Sequence, residues 1–330
     1  MSATHDTWSD YWRLGELTTL NFFRDGYTGE LARFWHDLVD VLPDAARVLD
    51  LATGNGAVAL VLLRHARSRG RALSIEGADV AQIDPAAHAS RTPALREELR
   101  AIRFHPRTPL ERTGLPGAHY HLVTSQYGIE YGDLDAAVVE IARLLVPGGR
   151  FGAILHSADS DVARTAANIE SLLTLLLGEL ALPDLVRRLL AQAGDVRDAT
   201  ALARTRLQPA GAALWSELQR AVARGQAAAA HDEQMRGTMH GFLQRIAAPF
   251  EAAIGVEPAA KLALVDELER KSQGLLQRMA ALRACALDRA GLDRFLAALT
   301  RAGLEPEPAR TIRFGPLDEP MGYGVVARRA

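Results

Sequence analysis

The sequence predicts an α/β fold: a doubly wound, mostly parallel sheet of seven strands, carrying a large all-helical insertion after the fifth strand. Three observations lead there. Short apolar runs alternate with stretches of helical spacing between residues 46 and 157. Strands and helices that alternate in this way pack as a parallel sheet covered on both faces. Between 158 and 290 the β signal vanishes and Ala, Leu, Arg and Glu dominate. Residues 291 to 330 then return to the first texture, so the chain leaves the sheet, builds helices, and comes back to finish it.

Taken in order, residues 1–45 read as an aromatic-rich helical segment with Trp8, Tyr11, Trp12, Phe22, Phe23, Tyr27, Phe34 and Trp35. RVLDLA is a short apolar run ending in an acid and a glycine turn, the mark of a buried strand. GAVALVLLRHARSR follows as a helix, ALSIEGADV as the second strand, and PALREELR within the next helix. IRFHP is the third strand and YHLVTSQ the fourth. LDAAVVEIARLLVPGG is a helix closed by Pro147, Gly148 and Gly149, and RFGAILHS is the fifth strand. In the insertion, RDATALARTR is weakly amphipathic, whereas QAAAAHDEQMRGTMHGFLQRI and PAAKLALVDELERKSQGLLQRMAALRACAL read as long helices. LDRFLAALTRAGLEP is a last helix stopped at Gly303, and RTIRFG and MGYGVVARR are the closing strands, paired as a hairpin.

A net charge of −2 over 330 residues supplies no field for nucleic acid, and basic residues occur singly or in pairs. Cys285 is the only cysteine, so neither an intramolecular disulfide nor a cysteine metal cluster is available. The first sixteen residues do not read as a secretory signal. SLLTLLLGELALPDLVRRLL, the most apolar window, carries four charges and Pro183, which argues against a membrane helix. A cytoplasmic protein without a membrane or nucleic-acid partner is the expectation. His231 and His240 sit on one predicted helix at a spacing that does not bring two ligands to one face, and no metal site is expected.

The stretch GNGAVA is ambiguous by itself. Gly54 and Gly56 let backbone approach a ligand, and the following helix points its positive end at it. That suits the pyrophosphate of a dinucleotide and equally a sulfonium cofactor, and Asp79, ending the second strand, suits a ribose diol in both. Asp50 separates them: a carboxylate at the turn repels a pyrophosphate and attracts a cationic ligand.

VLDLATGNGAVA, GADVA, YHLVTSQYGIEY and ARLLVPGGRF, in that order and followed by two terminal strands, resemble the class I S-adenosylmethionine-dependent methyltransferases. The resemblance covers roughly residues 46–157 and 290–330. It implies a Rossmann-like methyltransferase fold of seven strands with the last antiparallel, and S-adenosylmethionine as cofactor. By it, backbone at Ala52, Gly54, Asn55 and Gly56 would approach the methionine part, Asp50 its amino group, Asp79 the ribose and Val80 the adenine. Ser125 and Gln126 would face the cofactor near the methyl group. The chain departs from the pattern at Ala52, where the family has a first glycine. It departs again at HPRTPLERTGLP, where Pro109 or Thr108 falls at the place of the usual adenine-binding acid or amide, Thr108 being the first candidate for the adenine contact and Leu110 the second.

Methyl transfer needs alignment and exclusion of water, and a base only if the nucleophile keeps a proton. His156, Glu130 and Tyr127, at strand ends, are the candidate catalytic residues. Tyr131 and the N-terminal Tyr11, Trp12, Thr18 and Thr19 are candidates for a substrate-side lid, which resembling enzymes often build here. The insertion is expected to cover a substrate or to form a homodimer contact, with Met239 lining the pocket. The expected activity is methylation of O or N on a small-molecule biosynthetic intermediate. The alternatives are an NAD-dependent oxidoreductase, or a non-catalytic partner protein keeping the methyltransferase fold.

Overall fold

A computed structural model describes residues 2–20, 23–89, 92–193, 208–251, 257–315 and 318–330. The weakly amphipathic RDATALARTR stretch and Phe22 lie outside them. Packing divides the chain into two compact units, Met1–Arg164 with Leu282–Ala330, and Thr165–Ala281.

The first unit holds the sheet. Its strands are β1 (Arg47–Leu51), β2 (Ser74–Ala78), β3 (Arg103–His105), β4 (Tyr120–Gln126), β5 (Leu145–Leu155), β6 (Leu304–Pro306), β7 (Arg310–Phe314) and β8 (Glu319–Arg329). The order is β3-β2-β1-β4-β5-β8-β6, with β7 also on β8. Strands β1 to β5 are parallel, and β8 runs antiparallel beside β5. The doubly wound, mostly parallel sheet is the one the sequence predicts. The strand count is eight rather than seven for a local reason. β6 and β7 pair with opposite ends of β8, and the Glu307 N–H donates to the Val326 carbonyl between them. They are one edge strand interrupted where Pro308 has no N–H to offer. The GLEP that ends the predicted last helix therefore belongs largely to the sheet.

The strands are continuous apolar runs because helices cover both faces; β1 is buried from Val48 to Leu51. α2 (Gly29–Asp40) turns Phe34, Trp35 and Leu38 onto the sheet. Its approach is close enough that a Cβ on Gly152 would stand 2.4 Å from Leu38. α3 (Ala57–Ser68) follows the glycine turn, and α6 (Leu134–Leu144) starts at Asp133, whose side chain accepts from the Ala136 N–H. α1 (Ser2–Trp12), a short α4 (Pro85–His88), α5 (Pro93–Arg100) and, after the insertion, α12 (Arg289–Arg301) complete this unit.

The second unit is helical. It holds most of α7 (Asp161–Thr174), a π turn at Leu175–Glu179, α8 (Leu182–Ala193), α9 (Pro209–Ala229), α10 (Glu233–Glu251) and most of α11 (Pro258–Cys285). QAAAAHDEQMRGTMHGFLQRI is two helices rather than one. Asp232 accepts from the Met235 N–H and so starts α10, which leaves His231 in the break. The unit has its own core around Leu172, Leu176, Leu185, Leu218, Phe242 and Leu268. Met239, expected to line a substrate pocket, is 2% exposed in this core, against Gly225. Its helical face is spent on packing. Among the described residues no helix is long and apolar enough to cross a membrane.

Candidate functional site

The carboxyl ends of β1, β2 and β4 open onto a cavity of about 680 Å³, within the usual range for a small-molecule site. The turn after β1 shapes one side of it. Ala52 takes a left-handed φ of 53°, and Tyr127, just past β4, one of 54°. Backbone held this way at a ligand-facing edge is characteristic of sites rather than of packing. Gly128 lets the two segments pass, since a Cβ there would sit 2.4 Å from the Ala52 Cβ.

Two carboxylates lie in the turn. Asp50 is 1% exposed and accepts from the hydroxyls of Thr53 (2.5 Å) and Thr124 (2.8 Å). Burial above all, with the neighbouring Asp79 charge, raises its pKa from 3.8 to about 7. Asp79 accepts from the backbone N–H groups of Gly54 and Ala81, each at 2.8 Å. Val80, Thr108, Pro109 and Leu110 line the same cavity, and the Thr108 hydroxyl donates to the Pro106 carbonyl.

The two glycines act differently from the expectation. A Cβ on Gly54 would meet the Trp12 indole at 2.4 Å, and one on Gly56 would meet Phe104 at 2.8 Å. Neither lines the cavity; Gly54 accommodates the N-terminal helix and Gly56 the strand behind. Asn55 is also turned away, its Nδ2 donating to the carbonyls of Trp12 (2.9 Å) and Glu16 (2.8 Å).

From the N-terminal segment the cavity receives Trp8, Trp12, Leu17, Thr19 and Tyr27. Trp8 stacks on Trp12 at 6.0 Å and meets Tyr131 edge-on at 5.6 Å. Tyr11 and Thr18 are structural instead: the Tyr11 hydroxyl donates to the Thr18 carbonyl, and the Thr18 hydroxyl to the Leu20 carbonyl.

The catalytic candidates separate. Tyr127 and Tyr131 line the cavity; His156 and Glu130 do not. Tyr127 stacks on the His156 ring at 4.3 Å and so walls it off, and its own hydroxyl donates to the Met321 carbonyl. Burial lowers the His156 pKa from 6.5 to about 3, which leaves the ring neutral and a poor base. Glu130 Oε1 accepts from the His156 N–H at 2.8 Å, and burial raises its pKa to about 7. These two brace the wall of the site. Ser125 is buried with its hydroxyl unpartnered and is not part of the lining. Gln126 is part of it.

Sequence reasoning missed Thr53, Ala57, Val58, Glu111, Gly128, Gly132, Asp133 and Ala136 as lining residues. Thr53 was legible as the residue between Ala52 and Gly54; Ala57, Val58 and Ala136 stand in the first turns of α3 and α6, and the rest depend on which way a loop turns. Among the described residues no group of three His, Cys, Asp or Glu side chains is placed to hold a metal.

No protein-family model and no curated protein matches this chain. Among solved structures it is similar to the YcgJ protein of Bacillus subtilis, at 24% identity and a TM-score of 0.32, over 44% of this chain and 58% of that one. The chain thus spans little more than half of that relative's length. It is similar over 99% of its length, and 98% of the other's, to the geranyl diphosphate C-methyltransferase of Streptomyces coelicolor A3(2), at 12% identity and a TM-score of 0.43. A geranyl diphosphate methyltransferase bound to sinefungin shares 11% identity over 91% of this chain and 77% of that one, with a TM-score of 0.41. The functional reading rests on the site itself.

Proposed function

We propose that this chain is an S-adenosylmethionine-dependent methyltransferase of class I acting on O or N of a small molecule. One observation carries the reading. Among the described residues, the cavity at the glycine turn is lined by Asp50 and Asp79 and by no Lys, Arg or His side chain. A pyrophosphate placed there would meet two carboxylates and no compensating cation, which disfavours a nicotinamide dinucleotide. A ligand with an ammonium, a sulfonium and a ribose diol suits the same groups.

The residues present fit that cofactor. Asp79 would take the ribose hydroxyls, and Asp50, held by Thr53 and Thr124, would face the amino group. Val80, Pro109 and Leu110 would enclose the adenine. When bound, the cofactor supplies a methyl group already activated on sulfur. The chain's part is to bring an acceptor atom in line and to keep water out, which the aromatic wall of Trp8, Trp12, Tyr127 and Tyr131 supports. Tyr127 is committed to the Met321 carbonyl and His156 is buried and neutral, so the reading assigns no general base to either.

Titration calorimetry with S-adenosylhomocysteine and, separately, NAD tests the proposal in wild type and Asp79→Ala. The expected result is micromolar binding of S-adenosylhomocysteine, weakened at least tenfold by the substitution, and none of NAD. A folded protein that binds neither would overturn it.

A further inference from the structure

Beyond its four acids the cavity wall carries many apolar and aromatic side chains, and one polar side chain on it is left incomplete. Gln126, the last residue of β4, is 8% exposed. Its Oε1 accepts from the Trp35 indole N–H at 2.7 Å, and Trp35 is fully buried in α2. An indole N–H can only donate, so it decides which end of the amide is oxygen. Nε2 is thereby presented on the other branch, where it is buried and makes no hydrogen bond. The Tyr27 phenol stands beside the amide, which lowers its pKa as a hydrogen-bond donor does, and this leaves at least one of the two Nε2 hydrogens for another acceptor. Burial, and then the Asp50 charge, hold that phenol protonated.

The charges lining the cavity limit what can meet these donors. Asp50, Asp79, Glu111 and Asp133 line it, with no basic side chain among the described residues. A carboxylate or phosphate on the acceptor would be repelled, and an ammonium at Gln126 would meet a donor. An apolar group would leave a buried N–H unpaired, which is how such sites reject analogues lacking an acceptor. We propose that Gln126 is the specificity-determining anchor for the methyl acceptor, its Nε2–H donating to an uncharged oxygen (a carbonyl, ether or hydroxyl) on an otherwise apolar molecule. Trp35 is the positioning residue that orients it. The inference rests on the methyltransferase reading above.

The test uses the full chain saturated with S-adenosylhomocysteine and three small aryl probes: acetophenone, benzoate and benzylamine, followed by ligand-observed NMR. Wild type is expected to bind acetophenone at least tenfold more tightly than the two charged probes. Gln126→Leu and Gln126→Met both remove the donor while keeping a side chain of similar size. Both are expected to weaken acetophenone at least fivefold more than they weaken S-adenosylhomocysteine. The proposal is overturned if wild type does not bind acetophenone, if a charged probe binds as well or better, or if the variants weaken both ligands equally or neither. Failure of wild type to bind S-adenosylhomocysteine in the first place would instead overturn the methyltransferase reading.

Discussion

Asp50 illustrates how one side chain sets the behaviour of the site. Its carboxyl is buried, hydrogen-bonded by two threonines, and titrates near 7 rather than 3.8. Between those two values the folded chain holds a proton that the unfolded chain has released, so this group makes stability fall as pH rises through that window. Glu130 acts in the same sense, and His156, which must charge on unfolding below its ordinary 6.5, acts in the opposite one. Subtracting Asp50→Asn from wild type isolates the Asp50 contribution. The variant's melting temperature is expected to gain on wild type progressively from pH 4 to pH 8; a constant offset would mean that Asp50 does not titrate there. A cationic ligand needs the ionised form, so affinity for S-adenosylhomocysteine should drop by up to tenfold per pH unit below about 7 in wild type. In Asp50→Asn it should be weak and nearly flat, which calorimetry at pH 6, 7 and 8 would show. Gly54 gives a second residue-scale expectation. It has a φ of 53° and lies against Trp12, so Gly54→Ala adds a left-handed penalty of about 1–2 kcal/mol to a displaced indole. A melting temperature unchanged by this substitution would show that neither the left-handed backbone nor the Trp12 contact constrains the turn.

At the scale of elements, the N-terminal helix is fastened to the turn it borders. Asn55 Nδ2 holds the carbonyls of Trp12 and Glu16, and Ser9 Oγ accepts from the Gln82 N–H. Asn55→Ala removes two hydrogen bonds, roughly 1–3 kcal/mol of local stability. Faster proteolysis between residues 7 and 20 and faster release of S-adenosylhomocysteine are the expected result. Unchanged cleavage rates would assign the fastening to the stacked rings of Trp8 and Trp12 instead. These contacts explain what was legible in the sequence and what was not. β1, α3 and β2 were readable because a buried parallel strand, a glycine turn and an amphipathic helix each follow from local pattern. The break in the edge strand was not, since it shows only once β6 and β7 both pair with β8. His156 was rightly placed at a strand end, but the stacked Tyr127 that hides it comes from another loop. Asn55 sat in a glycine motif that reads as ligand-binding, whereas its amide is used for a contact to residues about 40 positions earlier. Spacing shows where a side chain lies along an element, and burial by a distant loop decides what it can touch.

At the scale of the whole molecule, two of the chain's hydrophobic cores have separate residue sets. One surrounds the sheet through Leu49, Val123, Phe151 and Phe295; the other, through Leu172, Leu218, Phe242 and Leu268, belongs to the helical unit. The proposed cofactor site lies wholly in the first. A ligand that binds only the folded form stabilises the unit that holds its site, by about 2.7 kcal/mol at a hundredfold excess over Kd. Met239 makes the converse perturbation available, because it is buried in the second core beside Gly225 and is not one of the residues that line the cavity. Truncating a buried Met costs about 2–5 kcal/mol. Calorimetry of Met239→Ala is therefore expected to resolve an earlier transition from the helical unit. S-adenosylhomocysteine should raise the later transition and leave the earlier one in place. One transition that falls with the substitution and rises with the ligand would instead mean that the two cores melt as a single cooperative body.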